Sequence, residues 1–329
     1  MSTNLNQSLG SLARESIRKY FRQATKYEKA VLEDRDPEDL HQMRVGMRRL
    51  RTAMRVFSPG IELSKAAGES KVSAVARRLG SLRDLDVIDD ALRRQYRPTL
   101  PKAEQQVLDV AIKQLSKGRG RTFKQVKQLL AGKQYGNLKQ SLNQWLDQPK
   151  YRPIAVYPSV HVLPDLLLPL VSQLWLHPGW LVGTTLGEDD IKIDNDFTPG
   201  KLAACMTKHN ETLHSLRKQV KRVRYQLRLA ADFYSPAIVQ NIKTLADIQE
   251  SLGQVQDSIV LNDCLTKTIP SFYKQLPTLV NQLADNRYHA WRRWQELQQH
   301  YLTPQNRDAL RLEILQPGVS CEESLQRAS

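Results

Sequence analysis

Two runs of cationic side chains recur with helical spacing. His41, Arg44, Arg48, Arg51 and Arg55 are spaced 3, 4, 3, 4 and form one stripe on a helix. Met43, Met47, Leu50, Met54 and Phe57 form an apolar stripe, centred roughly 110° away at about 100° per residue. The second run has the same plan: His214, Arg217, Lys221, Arg224 and Arg228 beside Leu216, Val220, Val223 and Leu227. A charged face that only meets solvent lies opposite the apolar stripe and mixes acids with bases. Here the basic stripes flank the core stripes and hold no acid. Arg44 to Phe57 contains five Arg and no Asp or Glu, and Arg217 to Ala231 contains six Lys or Arg and none. Like charges at i,i+4 cost a few tenths of a kcal/mol per pair. Two segments that both bear this cost point to a site where the cations meet an anion. Arginine suits phosphate, because its planar fork grips two oxygens at once.

Each stripe opens on a histidine, and two readings stand for it. The imidazole donates to a phosphate oxygen, or it packs near the helix start on a backbone carbonyl or an acid. Metal ligation fits less well, since no second His, Cys or acid stands at i+3 or i+4 from either His41 or His214. Asp84, Asp86 and Asp257 are also open to two readings. They orient the basic side chains from behind or hold a divalent cation that bridges to phosphate, or they are plain surface ion pairs.

The two runs align at an offset of 173 residues without a gap. His41 pairs with His214, Arg44 with Arg217, Arg48 with Lys221, Arg49 with Arg222, Arg51 with Arg224 and Arg55 with Arg228. The same offset pairs Leu79-Gly80 with Leu252-Gly253, Asp84 with Asp257, Val87 with Val260, Asp90 with Asp263 and Leu92 with Leu265. The simplest account is two related helical halves about a pseudo-two-fold axis.

The elements that must position these residues read as helices throughout. An amphipathic segment runs from Leu9 to about Asp34. Asp36-Pro37-Glu38-Asp39 makes a helix start, with a capping Asp, Pro at the first position and acids in the first turn. That helix runs to Phe57, where Ser58-Pro59-Gly60 stops it. Further helical patterns cover about 61–95, 102–131, 137–147, 164–176, 201–208, 210–234, 237–268, 270–284 and 286–302. Gly179 to Gly200 reads as loop, and 306–329 shows no clear core pattern. No stretch alternates with period two for long, so the expected class is all-α. The expected organisation is a tail at 1–9, a first half at about 10–147, a connector at about 148–200, a second half at about 201–303 and a C-terminal tail at 304–329.

Composition narrows the partner. The 329 residues carry 49 Lys plus Arg against 34 Asp plus Glu, a net charge of +15 with histidines neutral. Such a surplus favours a polyanionic partner. At 40% hydrophobic and 25% charged the composition is globular. Cys205, Cys264 and Cys321 are far apart and form no CxxC pair, which fits a reducing compartment. The first twenty residues or so lack the apolar core of a secretory signal. The most apolar stretch, Leu163 to Val182, includes Pro164, Asp165, Pro169, His177 and Pro178 and reads as buried helix and turn. The expectation is a soluble cytoplasmic protein with no membrane partner.

The motifs resemble those of the CHAD domain, the conserved histidine α-helical domain. They are His41-Gln-Met-Arg44 with Arg48-Arg49-Leu-Arg51, and Leu213-His214-Ser-Leu-Arg217-Lys218 with Lys221-Arg222-Val-Arg224-Tyr225. The run Leu79-Gly-Ser-Leu-Arg-Asp-Leu-Asp-Val87 resembles a third landmark, and Leu252-Gly-Gln-Val-Gln-Asp257 is its weaker counterpart. The resemblance covers about 10–303. It implies two antiparallel helical bundles around a basic central cavity that binds inorganic polyphosphate, with association with polyphosphate granules. The ligand set it implies is His41, Arg44, Arg48, Arg51, Arg55, His214, Arg217, Lys218, Lys221, Arg224 and Arg228; of the two readings of the acids, the orienting one is preferred, with Asp84 and Asp257 in that role. It implies no cofactor, although a divalent cation bridging to phosphate stays open.

Two further function classes are weighed against polyphosphate binding. Nucleic-acid binding fits the charge, but no helix-turn-helix, zinc-finger or RNP-type signature appears. A polyphosphate- or triphosphate-processing enzyme fits less well. No GxxxxGK[ST] loop is present, no Glu-x-Glu-x-Lys motif matches at Glu188-Asp189-Asp190-Ile-Lys192, and no nucleophile–base pair stands out. The sequence expectation is therefore a binder and not an enzyme. Lys117, Arg119, Arg121, Lys124 and Lys127, and the pair Arg292-Arg293, read mainly as solvated faces that could extend a cavity rim. Trp291 and Trp294 read as core.

Overall fold

The computed structural model describes residues 5–187 and 191–318. Among these, the chain is all-α apart from one two-stranded hairpin. It divides into two compact units, one made of residues 6–159 and the other of residues 160 onward together with Leu5.

In the N-terminal unit, α1 (Leu9–Lys26), α2 (Glu28–Glu33) and α3 (Pro37–Val56) are followed by α4 (Glu69–Asp90), α5 (Lys102–Ala131) and α6 (Lys133–Asp147). α3 packs between α1 and α4, and α5 covers the other side of α4. The start of α3 matches its sequence signal. Asp36 caps it by accepting the Glu38 N–H at 2.8 Å, and Pro37 opens the first turn. Gly46 sets the approach of α3 to α1, because a Cβ there would fall 2.6 Å from the Ala24 backbone nitrogen. α2 ends at Asp34, in the left-handed region at φ 55°. Arg119 of α5 clamps that end, donating to both Asp34 carboxylate oxygens at 2.6 and 2.7 Å and, through Nε, to Asp86 of α4 at 2.6 Å.

In the C-terminal unit, α7 (Ser159–Trp175) leads to a short hairpin of β1 (Thr184–Leu186) and β2 (Ile191–Ile193). α8 (Pro199–Ala230), α9 (Pro236–Thr268), α10 (Phe272–Gln275), α11 (Pro277–Leu302) and α12 (Pro304–Leu315) follow. α9 is the central helix, packed against α8, α11 and α12. Thr198 caps α8 and Ser235 caps α9, each followed by a proline at the first position. Trp291 and Trp294 are core residues, as expected. Trp180 stacks on Trp294 and Tyr301 with centroids 5.3 and 5.1 Å apart, and Gln298 donates to the Trp180 and Val182 carbonyls.

Several helix limits differ from the sequence expectation. The first amphipathic segment breaks at Tyr27 into α1 and α2. Residues 61–68 are not α-helical, because the backbone there pairs across the unit. Arg152 N–H donates to the Gly60 carbonyl and Glu62 N–H to the Lys150 carbonyl. α4 therefore begins at Glu69, and it runs on into a π-helical turn at Ala91–Tyr96. The two helices expected on either side of 209 are one, α8, since no Gly or Pro interrupts it. The break expected near 285 falls instead at Leu276, ahead of Pro277. Gly179–Gly200 is not all loop, since it contains a 3₁₀ turn at Pro178–Leu181 and the hairpin. The region 306–329, expected to lack a core pattern, starts with α12, whose Leu310 and Ile314 are buried; residues 319–329, with Cys321, lie outside the described residues. The Glu188-Asp189-Asp190 run also lies outside them.

Residues 159–181 are apolar and long enough to cross a membrane, with mean hydropathy 1.3. Leu163, Leu167, Val171, Leu174, Trp175 and Trp180 are nevertheless buried within the protein, and Pro164 and Pro169 lie inside α7.

The close crossing at Gly46 makes a direct prediction. Gly46→Ala should lower the unfolding free energy by about 1–3 kcal/mol, the usual cost of overpacking, read as a lower urea midpoint. An unchanged midpoint would show that α1 and α3 are not locked at this distance.

Candidate functional site

The first cationic stripe lies on α3 and the second on the C-terminal part of α8. Each unit thus presents its own basic helix beside a partner helix, α4 in one and α9 in the other. Matched positions share the same burial. His41 and His214, Arg44 and Arg217, Arg48 and Lys221, and Arg51 and Arg224 are all half-buried. Arg49 and Arg222, and Arg55 and Arg228, are exposed. The apolar stripes beside them are fully packed, with Met43, Met47, Leu50 and Met54 buried in α3 and Leu216, Val220, Val223 and Leu227 in α8. The cations therefore sit at the edge of each core and not on an outer face.

A glycine on the partner helix faces the first arginine of each stripe. A Cβ on Gly80 would stand 3.4 Å from Arg44 Nε; one on Gly253 would stand 3.0 Å from Arg217 Nη2 and 3.2 Å from its Nε. Arg217 Nε also points at the Gln249 carbonyl, 3.5 Å away. These contacts fix the register of both helix pairs, and the two glycines are matched by the same offset as the two arginines.

The acids are placed unequally. Asp84 reaches Arg44 Nη2 at 4.0 Å while its side chain is 71% exposed. Asp257, at the matched position of α9, is also exposed. Asp86 faces away from the α3 stripe and belongs to the Arg119 clamp.

Two residues outside the sequence-derived set join the N-terminal site. Glu69, in the first turn of α4, pairs with both Arg51 and Arg55. Arg83 donates to the Pro37 carbonyl at 3.5 Å and is the nearest-acting cation on His41. At the matched positions the C-terminal unit has Ile242 and Gln256, so neither Glu69 nor Arg83 has a counterpart at its own position. Arg224 instead packs on the Tyr225 ring, 4.6 Å from its centroid, and donates to the Tyr225 hydroxyl at 2.8 Å. Lys218 is exposed beside His214 and is the nearest-acting cation on it.

Both histidines are held below the ordinary imidazole pKa. Burial is the main cause for each. The positive neighbours add to it: Arg83, Arg48 and Arg44 for His41, and Lys218, Arg217 and Lys221 for His214, with Glu38 opposing at His41. At neutral pH each is an uncharged imidazole among cations, and His214 Nδ1 is buried with no hydrogen-bond partner. Such a site can hold an anion through guanidinium and ammonium groups and has a neutral N–H to add. Among the described residues, no group of three or more His, Cys, Asp or Glu side chains is placed to hold a metal ion.

The CHAD domain model matches residues 15–266. The fold is similar to a crystal structure of the CHAD domain from the plant Ricinus communis, with TM-score 0.59 and 22% identity, covering 95% of this chain and 94% of that one. It is also similar to PptA from Streptomyces chartreusis, with TM-score 0.59 and 15% identity over 89% of this chain and 99% of that one. A comparison with curated proteins returned no match. With two basic stripes opening on His41 and His214 and a family match over most of its length, the chain belongs to the CHAD domain family.

Proposed function

We propose that this protein binds inorganic polyphosphate through the α3 and α8 stripes, and that it holds the polymer without cleaving it. The observation that carries this reading is the pair of acid-free stripes at the edge of each core, half-buried from the histidine to the fourth member and exposed at the last, with matched cations at matched depth. A linear phosphate chain offers repeated oxygens and no bases, so forked guanidinium groups suffice to grip it. Membership of the CHAD family supports the same ligand. A cytoplasmic location, with recruitment to polyphosphate granules, is part of the proposal.

Three expected outcomes test it. Arg48→Gln with Arg51→Gln, and separately Lys221→Gln with Arg224→Gln, should each weaken polyphosphate binding. Each should also flatten the log–log salt dependence by about 1–2, since each lost phosphate contact removes about 0.7 from a single-strand slope. Isothermal titration at several salt concentrations reads both effects. Unchanged affinity in both variants would refute the reading. Equal displacement of polyphosphate by duplex DNA would favour a general nucleic-acid binder, and release of orthophosphate in the presence of Mg²⁺ would show an enzyme.

The histidines predict a pH dependence. A bound polyanion raises their depressed pKa values, so binding takes up protons and must tighten as pH falls from about 7.5 toward 5.5. Each unit of upward shift is worth about tenfold in affinity at the acid end. His41→Gln with His214→Gln should remove this pH dependence.

Glu69 predicts the opposite kind of effect. Glu69→Gln frees Arg51 and Arg55, so polyphosphate affinity should rise about threefold to tenfold. The lost half-exposed ion pairs should cost no more than about 1 kcal/mol of stability. A weaker-binding Glu69→Gln protein would show that this acid positions the arginines for the ligand and does not compete with it.

A further inference from the structure

We propose that the outer face of α5 is a second attachment surface for a linear phosphate chain, separate from the α3 stripe. The proposal rests on polyphosphate being the ligand. From Val110 to Leu146 the chain carries eight Lys or Arg and no Asp or Glu. Two of the eight are used internally, Arg119 by Asp34 and Asp86, and Lys139 by Glu28. Lys113, Lys117, Arg121, Lys124, Lys127 and Lys133 are all exposed.

Their placement separates them from a solvated face. The buried side of α5 carries Leu108, Ala111, Ile112, Val126 and Leu130, and Lys113, Lys117 and Lys124 project roughly 180° away, with Arg121 and Lys127 to either side. The row from Lys113 to Lys124 extends about 16 Å along the helix axis. Three arginines on the preceding segment of the same unit are neutralised locally: Arg93 pairs with Asp89, Arg94 with Asp90 and Arg97 with Asp109. The α5 row instead sets like charges at i,i+3 and i,i+4, which weakens an isolated helix.

Gly118 and Gly120 supply an independent observation. Both lie in the interior of a 30-residue helix, where glycine is the poorest former after proline. A Cβ on either would meet no atom within 4 Å, so no packing in the protein needs their smallness. The absence of side chains leaves the backbone between Lys117 and Arg121 open to close approach by a ligand. The one aromatic at this surface is not a free stacking platform. The Phe123 ring has Lys127 Nζ 4.7 Å and the Arg119 guanidinium 5.8 Å from its centroid. A chain of phosphates without bases fits this surface better than RNA, which relies on stacking.

The test compares wild type with Lys117→Gln/Arg121→Gln/Lys124→Gln. Each protein is titrated with long-chain polyphosphate, with a chain of a few phosphates, and with single-stranded RNA of equal phosphate content. The Gln variant should lose about tenfold in long-chain affinity and about 2 in salt slope, while the short chain, held at the α3 and α8 stripes, binds as before. Unchanged long-chain binding overturns the proposal. An equal loss for the short chain overturns it too, because the face is then not a separate surface; a larger loss for RNA assigns the face to nucleic acid. Failure of the α3 and α8 variants to weaken short-chain binding refutes the functional reading and leaves the α5 comparison to be read on its own. A wild type that binds no polyphosphate overturns both. Gly118→Ala with Gly120→Ala provides a second measurement should the Gln variant fold poorly. It should melt at a higher temperature and bind the long chain more weakly, and a higher melting temperature with unchanged long-chain binding overturns the proposal.

Discussion

The structure turns on one contact made twice, an arginine side chain laid against a glycine of the neighbouring helix, tightly in one unit and at ordinary contact distance in the other. At Gly253 the fit is tight, since a Cβ would press on Arg217 Nη2 at 3.0 Å, and at Gly80 the Arg44 guanidinium occupies the same place at 3.4 Å. Holding a cation at the edge of an apolar core costs hydration. It also raises what an anion gains there. A pair of unit charges about 4 Å apart is worth about 1 kcal/mol in bulk water and about 4 kcal/mol at the effective dielectric near a protein surface. The same half-burial keeps His41 and His214 neutral among cations. Site geometry, histidine state and ligand affinity thus follow from packing a basic helix edge-on to its partner.

The stripes were legible in the sequence because their residues lie on single helices, where periodicity reports the face directly. Leu50, Met54, Leu216 and Leu227 are buried and Arg48 and Lys221 half-buried, as spacing alone requires. The glycine pairing could be seen as a match, though not its purpose, because space is a property of two helices. Glu69 and Arg83 were missed for the same reason. Residues 18 and more positions away in the chain meet the stripe only after α4 folds back on α3. With Arg44 facing Gly80 the antiparallel register is set, and His41 then falls beside Arg83 and Arg55 beside Glu69, with Arg51 one turn away and within reach of the same carboxylate. Helix ends were least legible where backbone groups find partners in distant segments, as Gly60 and Glu62 do with Arg152 and Lys150. The C-terminal α12 was missed because two buried residues, Leu310 and Ile314, are too few to establish a period.

The basic run on α5 shows how one segment serves two roles. Arg119 alternates with Gly118 and Gly120 yet is drawn inward by Asp34 and Asp86, which tie the left-handed end of α2 to α4 and α5. Its neighbours have no such task. Charge composition cannot separate them; the 3.6-residue period and the position of Asp34 and the buried Asp86 can.

The two stripes are matched but not equivalent, and the difference is electrostatic. In the N-terminal unit Glu69 already occupies Arg51 and Arg55, so any anion entering there must exchange with a carboxylate. Exchange gains less than first pairing, because the guanidinium groups are already neutralised. Arg83 compensates at the other end, adding a cation beside His41. In the C-terminal unit Ile242 and Gln256 stand in these places, and Arg224 rests on the Tyr225 ring. Anion attraction should therefore be centred toward the His41 end of α3 and spread more evenly along α8, although the two stripes have nearly the same sequence. Equal composition gives unequal field because the partner helix, not the stripe, supplies the counter-charge.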